Sequence, residues 1–168
     1  MAELKDSGER REFETGAVRD IQEGKGRCDL LPLDVVARVI DPLTGRQYLT
    51  LFNISKYVRT GDVEFLYLAL KFFMQFNDWD SHTAILEVAK HYEDGARKYS
   101  ARNWEKGIPI HCFIDSGVRH FIKHCRGDLD EPHDRAFVWN MFGAIWTHNN
   151  KPELIDLPIE EENKDENN

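Results

Sequence analysis

The segment from His91 to Trp146 concentrates the side chains of this chain that could do chemistry. Its acidic, imidazole and amide groups occur at a few places in an otherwise apolar helical pattern. Oxygen ligands that face one another across packed helices are what Mg²⁺-dependent phosphate chemistry requires. We therefore place the functional site in this segment, at the groups Glu93, Asp115, His120, Asp130, Glu131 and Asn140.

Apolar residues recur at helical spacing along most of the chain, and this pattern predicts an all-α protein. A glycine-punctuated loop from Phe13 to Pro32 is expected before the first helix. Asp41-Pro42 should end that helix, and Asp80 or Ser81 should cap the fourth one. The predicted helices are Leu33–Ile40, Gln47–Val58, Val63–Phe76, Asp80–Tyr99, His111–Arg126 and Pro132–Thr147.

Two of these helices carry a carboxylate at the margin of an apolar stripe. Glu93 falls roughly 90° from the centre of a stripe predicted on the fourth helix, formed by Ile85, Val88, Ala89, Tyr92, Ala96 and Tyr99. Asp115 falls about 75° from the centre of the stripe on the fifth helix, formed by Ile114, Val118, Phe121, Ile122 and Cys125. Both could face a cleft between helices. The alternatives are an exposed Glu93 and an ion pair between Asp115 and Arg119 one turn later.

The sixth helix is apolar on nearly every side, which predicts an interior position. Asn140 is then a buried amide that must find hydrogen-bond partners. It lies two turns after His133, so both side chains can point the same way. Asp130 and Glu131 come just before the helix, and we expect one to cap its N-terminus and the other to bind a metal.

The formal net charge of the 168 residues is −8, which argues against general binding of duplex nucleic acid, because neutralising phosphates requires clustered Lys and Arg. From Ile155 onward six carboxylates stand against Lys164, so this tail carries −5 of the charge. We predict one domain over residues 13–154, with disordered segments over 1–12 and 155–168.

No apolar run approaches the ~20 residues that cross a bilayer, so no membrane association is expected. The N-terminus lacks the apolar stretch of a secretory signal. The cysteines, Cys28, Cys112 and Cys125, form an odd count without paired spacing, which is typical of a reducing compartment. Together these features predict a cytoplasmic protein.

Several short motifs follow one another between Gly16 and Trp146. They are Gly16–Asp20, Gly24–Pro32, Gly95–Tyr99, Arg102–Gly107, Asp115-Ser116 with Arg119-His120, and Asp130–His133 with Trp139-Asn140. In this order they resemble the phage-associated dATP/dGTP diphosphohydrolase family, which is akin to the all-α, MazG-like nucleoside triphosphate pyrophosphatases. The resemblance implies a MazG-like helical bundle that works in the cytoplasm of an infected or lysogenic bacterium, with subunits that form a homo-oligomer.

The resemblance also implies a reaction: hydrolysis of a purine deoxynucleoside triphosphate to the monophosphate and pyrophosphate by water that Mg²⁺ or Mn²⁺ activates. The implied metal ligands are Glu93, Asp115, Asp130 and Glu131. The implied catalytic residues are Glu93, Asp115, Glu131 and His120. Substrate would be bound by Arg19, Lys25, Arg27, Arg97, Lys98, Asn103, Trp104 and Asn140, with the cations on the phosphates and Asn103 and Trp104 on the base.

In two respects the chain departs from the MazG-like pattern. That pattern places two carboxylates three residues apart on each of two adjacent helices, and the predicted helices here carry no clean copy of either pair. In addition, residues 41–80 form an extra helical stretch that could shape the base pocket or a subunit contact.

Other functions are compatible with the same pattern. A catalytically silent nucleotide sensor, or a protein that binds a host factor through the acidic tail or residues 41–80, would keep the bundle. Zinc is disfavoured because neither a His-Glu-x-x-His nor a Cys-x-x-Cys motif occurs, although the chain has candidate ligands in His111, Cys112, His120, His124, Cys125 and His133. The Gly24-Lys25-Gly26 loop lacks a full Walker A pattern, and His133-Asp134 alone is weak support for a His-Asp hydrolase.

Overall fold

The computed structural model describes residues 8–40 and 45–159, and most of these residues are helical. The helices are α1 (Leu33–Val39), α2 (Gly45–Thr60), α3 (Glu64–Phe76), α4 (Ser81–Lys98), α5 (Ile110–Arg126) and α6 (His133–Asn150). Two strands, β1 (Arg10–Glu12) and β2 (Val18–Asp20), precede them, and single turns of 3-10 helix lie at Cys28–Leu30, Asn103–Lys106 and Pro152–Leu154. The all-α prediction is confirmed.

Local signals set the boundaries of the helices around the site. The carboxylate of Asp80 accepts hydrogen bonds from the backbone N–H groups of His82 and Thr83, at 3.1 and 3.0 Å, and so caps α4 as predicted. Helix α5 ends at Gly127, whose φ of 85° lies in the left-handed region that glycine adopts without a Cβ penalty. The stop predicted at Asp41-Pro42 lies outside the described residues.

The expected cap of α6 is wrong. Pro132 occupies the N-cap position, and no side chain caps the helix there. Asp130 instead contacts Nε2 of His133 at 2.8 Å and Nζ of Lys123 at 3.4 Å. Asp130 therefore joins side chains of α5 and α6, and the backbone N–H of His133 donates to the carbonyl of Glu131 at 2.9 Å.

Helices α5 and α6 form the centre of the bundle. Helices α3 and α4 both pack on α6, and α2 packs on α3. The ring of Phe73 lies 4.3 Å from that of Phe137, which lies 5.7 Å from Phe121. A Cβ at Gly143 would collide with the ring of Phe113, so glycine permits the close approach of α5 and α6. The predicted interior position of the sixth helix is confirmed.

The N-terminal hairpin corrects two predictions. Strands β1 and β2 pair antiparallel, with Arg11 opposite Arg19, where we expected a disordered segment to residue 12 and a loop from Phe13. Asn103 holds β2 in place, because its side chain accepts a hydrogen bond from the N–H of Val18 at 2.9 Å and donates one to its carbonyl at 2.8 Å. Strand β2 has only three residues and is held by a residue 85 positions later in the chain, so the sequence around it has no local pattern that predicts a strand. Residues 1–7 lie outside the described part.

The C-terminal boundary is also later than predicted. Ile155 and Leu157 pack against the core, and Asp156 accepts a hydrogen bond from the backbone N–H of His111 at 3.0 Å. The ordered domain therefore extends past residue 154, while the acidic run 160–168 lies outside the described residues. None of the helices described is long and apolar enough to cross a membrane.

Candidate active site

A cavity of about 540 Å³ lies among the hairpin, the loop that follows β2, and helices α4, α5 and α6. Cavities that bind small ligands commonly enclose about 300–1,000 Å³. The cavity thus brings the N-terminal hairpin together with the last long helix, α6. Eight of the residues predicted to form the site line the cavity: Arg19, Lys25, Lys98, Asn103, Asp115, His120, Glu131 and Asn140.

Positive charge dominates the cavity wall. Six cationic side chains face three carboxylates, and the two sets are Arg11, Arg19, Lys25, Lys98, Arg119 and Lys123 against Asp20, Asp115 and Glu131. The sign is opposite to that of the whole chain, whose net charge is −8. A cleft lined by one sign of charge concentrates counter-ions. The cavity therefore favours an anion with several charges.

Arg19 supplies an unpaired donor at this wall. Its Nη2 donates to Oδ1 of Asn140 at 3.0 Å, and its guanidinium lies 5.2 and 5.5 Å from the rings of Phe113 and Trp139. Nη1 is buried and has no hydrogen-bond partner among the described residues. Burial lowers the pKa of Arg19. Because buried N–H groups normally have partners, Arg19, which lines the cavity, keeps an unused donor at Nη1. Asn140 is buried, as predicted, and also donates to the carbonyl of Ala136.

Asp115 is a buried carboxylate that organises the loop following β2. It accepts hydrogen bonds at 2.6 Å from Nε2 of Gln22, from the backbone N–H of Cys28 and from Nη2 of Arg119. Arg119 in turn donates to the carbonyl of Gly26 at 2.7 Å. Both carboxylate oxygens are thus occupied by protein donors, so Asp115 positions the loop over α5.

Helix α4 turns a different face to the bundle from the one predicted. Its inward positions follow each other at intervals of four and three residues and are Ala84, Val88, His91, Gly95 and Lys98. Ile85, expected in the stripe, is 53% exposed. The side chain of Glu93 is 61% exposed and pairs with Arg97. The expectation that Glu93 and Asp115 face one cleft is therefore wrong, because the helix is rotated by about one residue, or 100°.

The remaining predicted residues outside the cavity are Arg27, Arg97, Trp104 and Asp130. Arg27 donates to Asp29 at 2.7 Å. Trp104 packs edge-on against Trp146, with 5.0 Å between ring centroids, and lines a separate cavity of about 340 Å³ beside Glu93. Asn103 lines the main cavity, and its side chain exchanges two hydrogen bonds with the backbone of Val18. The structure thus gives Asn103 a positioning role, and its contact with a base stays a prediction.

A cluster of imidazoles and carboxylates lies where α5 meets the start of α6. The potential ligand atoms of His120, Glu131 and His133 lie within 4.8 Å of one another. Nδ1 of His120 is 2.9 Å from Nδ1 of His133, and Nε2 of His133 is 2.8 Å from Asp130. Burial, reinforced by His133, lowers the pKa of His120 well below its usual range. His120 is therefore neutral at pH 7.

Sequence reasoning missed several groups at this site, including Arg11, His91, Arg119 and Lys123 as cavity residues. A usable signal existed for His91, which lies three residues after Val88 and four before Gly95, as an inward helical position does. None existed for Arg11, which is placed by a short strand with no periodic pattern.

His91 should make the stability of the fold depend on pH. Burial first, and then the charges of Arg135, Arg19 and Lys98, lower the pKa of His91 to about 4. An unfolded histidine has a pKa of about 6.5, so between these values the unfolded chain binds more protons. We expect His91 to contribute a loss of about 1 kcal/mol in the free energy of unfolding per pH unit as pH falls through this window.

Urea unfolding of the wild type and of His91→Gln between about pH 4 and pH 7 measures this contribution. The stability advantage of the wild type should shrink as pH falls. The exposed His82 offers a matched control, since His82→Gln should show no such trend. A difference between the wild type and His91→Gln that stays constant with pH would contradict a buried, neutral His91.

Comparison with known proteins adds one finding. Residues 73–157, just over half of the chain, match the family model described as dATP/dGTP diphosphohydrolase, N-terminal. The matched segment contains α4, α5 and α6, and with them Asp115, His120, Glu131 and Asn140. No curated protein and no solved structure matches the chain. On the extent of the family match, the chain belongs to the dATP/dGTP diphosphohydrolase family.

Proposed function

We propose that the protein hydrolyses dATP and dGTP between the α- and β-phosphates, releasing the deoxynucleoside monophosphate and pyrophosphate. The observation that carries the proposal is the positively charged cavity, whose α4, α5 and α6 walls belong to the segment matched by the family model. A triphosphate is a compact polyanion, and Arg and Lys are its usual partners in proteins. Action as a homo-oligomer in the cytoplasm stays a prediction from the sequence.

The cations differ in how free they are to bind phosphate. Lys98 and Arg119 already pair with Asp20 and Asp115, at 2.7 and 2.6 Å. Nη1 of Arg19 has no partner among the described residues, and Lys25 is exposed on the loop above it. We therefore assign Arg19 and Lys25 the main contacts to the phosphate oxygens. Tyr99 and Trp139 line the same cavity and are the aromatic residues that we propose to contact the purine.

The four-carboxylate magnesium site expected from the resemblance does not fit the structure. Glu93 and Asp130 lie outside the cavity, and the oxygens of Asp115 accept hydrogen bonds from three protein groups. Of the four, Glu131 alone lines the cavity with a carboxylate that no ion pair or side-chain hydrogen bond occupies among the described residues. The carboxylates therefore do not converge on one ion.

Two groups of the chain could accept a proton from the attacking water: the carboxylate of Glu131 and the neutral imidazole of His120. The water oxygen would form a bond to the α-phosphorus, and the bond from that phosphorus to the oxygen bridging to the β-phosphate would break. Pyrophosphate would leave with that oxygen. Arg19 and Lys25 would stabilise the charge that develops on the leaving group.

The reaction is tested by measuring pyrophosphate release from each of the eight common ribo- and deoxynucleoside triphosphates, with Mg²⁺ and with Mn²⁺. We expect the fastest turnover with dATP and dGTP. Tight nucleotide binding without turnover with either metal would instead support the catalytically silent sensor.

A matched pair of variants tests whether the reaction takes place in the main cavity, beside Glu131, or near the exposed Glu93. Glu131→Gln should lower kcat by at least about a hundredfold, which is the usual contribution of a general base. Glu93→Gln, the same change on an exposed side chain outside the cavity, should leave kcat within about twofold. Steady-state pyrophosphate release with dGTP gives both values. Loss of turnover in Glu93→Gln with full activity in Glu131→Gln would place the chemistry elsewhere.

A further inference from the structure

We propose that His120, His133 and Glu131 bind one divalent first-row transition-metal ion, which they would hold in preference to Mg²⁺. These residues come from α5, from the first turn of α6 and from the loop between them. Their potential ligand atoms lie within 4.8 Å of one another, although the residues are up to thirteen positions apart in the chain. Two imidazoles and one carboxylate form a donor set that open, catalytic zinc sites use.

The spacing of the two imidazoles suits a shared metal ion. Nδ1 of His120 and Nδ1 of His133 are 2.9 Å apart. Nitrogen ligands lie about 2.0–2.1 Å from such an ion, so two of them at right angles are about 3.0 Å apart. A small outward movement of either ring would also reach the wider tetrahedral separation. In the metal-free protein this distance is that of a hydrogen bond between the two rings, and a bound ion would take the place of the shared proton.

The contact with Asp130 fixes which nitrogen of His133 would bind a metal. Nε2 of His133 faces Oδ1 of Asp130 at 2.8 Å, a contact that places a proton on Nε2. Nδ1 of His133, which shares a hydrogen bond with Nδ1 of His120 at 2.9 Å, is then the nitrogen that would bind the ion. A carboxylate behind a ligating histidine fixes its tautomer and raises its basicity. Asp130, predicted from sequence to be a ligand, would therefore act by positioning His133.

The surroundings hold these groups in place. The side chain of His133 is 1% exposed, and the rings of Phe121 and Phe137, one residue after His120 and four after His133, pack in the core. Side chains that are buried before a metal arrives lose little freedom on binding it. The site is consequently built into the contact between α5 and α6.

Ligand type determines the choice of metal. Imidazole nitrogen suits zinc, copper, iron and nickel, whereas Mg²⁺ prefers oxygen ligands and retains its waters. His120 and Glu131 both line the cavity, so open coordination positions would face a bound phosphate. Any part that the ion plays in hydrolysis rests on the function proposed above, whereas binding of the ion does not depend on it. A carboxylate of Glu131 that bound the ion through one oxygen would keep its second oxygen to accept the proton of the water.

The binding test uses untagged full-length protein, freed of metal with a chelator and titrated with CoCl₂ in the absence of nucleotide. Calorimetry gives the affinity and stoichiometry, and the visible d–d absorption reports nitrogen ligation. We expect one Co²⁺ per chain. His120→Gln and Glu131→Gln should each weaken binding by at least about tenfold, and Asp130→Asn by roughly ten- to a hundredfold.

The exposed His82 provides the control, because His82→Gln should bind Co²⁺ as the wild type does. Far-UV circular dichroism establishes that each variant is folded, and Glu131→Gln keeps both imidazoles should His120→Gln fail to fold. The proposal is overturned by absence of Co²⁺ binding, by equal binding in Glu131→Gln and the wild type, or by equal affinity for Mg²⁺ and Co²⁺. Pyrophosphate release measured separately distinguishes these results from failure of the proposed reaction.

Discussion

Replacing Arg19 by Met should weaken binding of dGTP by roughly ten- to a hundredfold while changing the free energy of unfolding by less than about 1 kcal/mol. A hydrogen bond to a charged group contributes roughly 1.5–3 kcal/mol, which corresponds to this range of affinity. Nη1 of Arg19 has no partner among the described residues and is buried beside the cavity. An anionic oxygen would give it one, so the gain on binding should be large.

The expected effect on stability is smaller than that of an ordinary core mutation, because two contributions offset each other. A buried guanidinium N–H without a partner lowers the stability of the free protein, and an apolar side chain of similar length removes that penalty. The same change leaves Oδ1 of the buried Asn140 without the donor that lies 3.0 Å away. Met can still pack against Phe113 and Trp139, over which the guanidinium lies at 5.2 and 5.5 Å. We therefore expect the free energy of unfolding of Arg19→Met to stay within about 1 kcal/mol of the wild-type value. Lost binding together with retained stability is typical of a functional residue.

Calorimetric titration with dGTP and urea unfolding measure the two quantities. Arg97→Met is the matched control, because Arg97 is 69% exposed, lies outside the cavity and pairs only with Glu93 and Asp94 among the contacts described. It should change the dissociation constant by less than about twofold. If Arg19→Met bound dGTP as the wild type does, or if both arginine variants weakened binding equally, Arg19 would not be a phosphate ligand.

The helices could be predicted from the sequence because their signals are local. Asp80 is a short polar residue before an apolar repeat, and it caps α4. Gly127 follows the last apolar position of α5 and takes the left-handed conformation that ends the helix. Asn140, an amide in a helix that is apolar all round, could only be buried, and its partners are Arg19 and Ala136.

The orientation of a helix was harder to predict than its existence. On α4 the residues Ile85, Ala89 and Tyr92 of the predicted stripe compete with Ala84 and His91 for the inward face, and hydrophobicity alone favoured the first set. Val88 belongs to both faces. The choice depends on what packs against the helix. A rotation by one residue moves every side chain by 100°, and for this reason Glu93 faces outward although the helix itself was predicted correctly.

The imidazole cluster shows the same limit across two helices. Zinc was disfavoured because the sequence has neither a His-Glu-x-x-His motif nor a Cys-x-x-Cys pair, and both of these are local motifs. The structure instead joins His120 of α5 to His133 of α6. Whether two histidines on different helices lie close together depends on how the helices cross and on the length of the loop between them. The spacing of residues along one helix determines neither. The ordering of Arg11 by strand pairing is a second case.

Removing the charge of Asp115 should give the largest loss of stability of any single change considered for this protein. All the groups around its carboxylate are donors: Nε2 of Gln22, the N–H of Cys28 and Nη2 of Arg119. In Asp115→Asn an amide NH₂ would replace one acceptor and face a donor. Arg119, whose side chain is 18% exposed, would also lose its counter-charge. Breaking a buried ion pair in this way commonly costs about 3–5 kcal/mol.

Urea unfolding of three variants separates this pair from ordinary surface electrostatics. Asp115→Asn should lower the free energy of unfolding by about 3 kcal/mol or more, while Asp94→Asn, which breaks the exposed pair with Arg97, should change it by less than about 1 kcal/mol. The double variant Asp115→Asn with Arg119→Met should recover part of the loss, because it removes the uncompensated cation as well. Strictly additive losses in the double variant would show that the two charges do not act as a pair. A loss below about 1 kcal/mol in Asp115→Asn would show that the loop carrying Lys25 is held on α5 by other contacts.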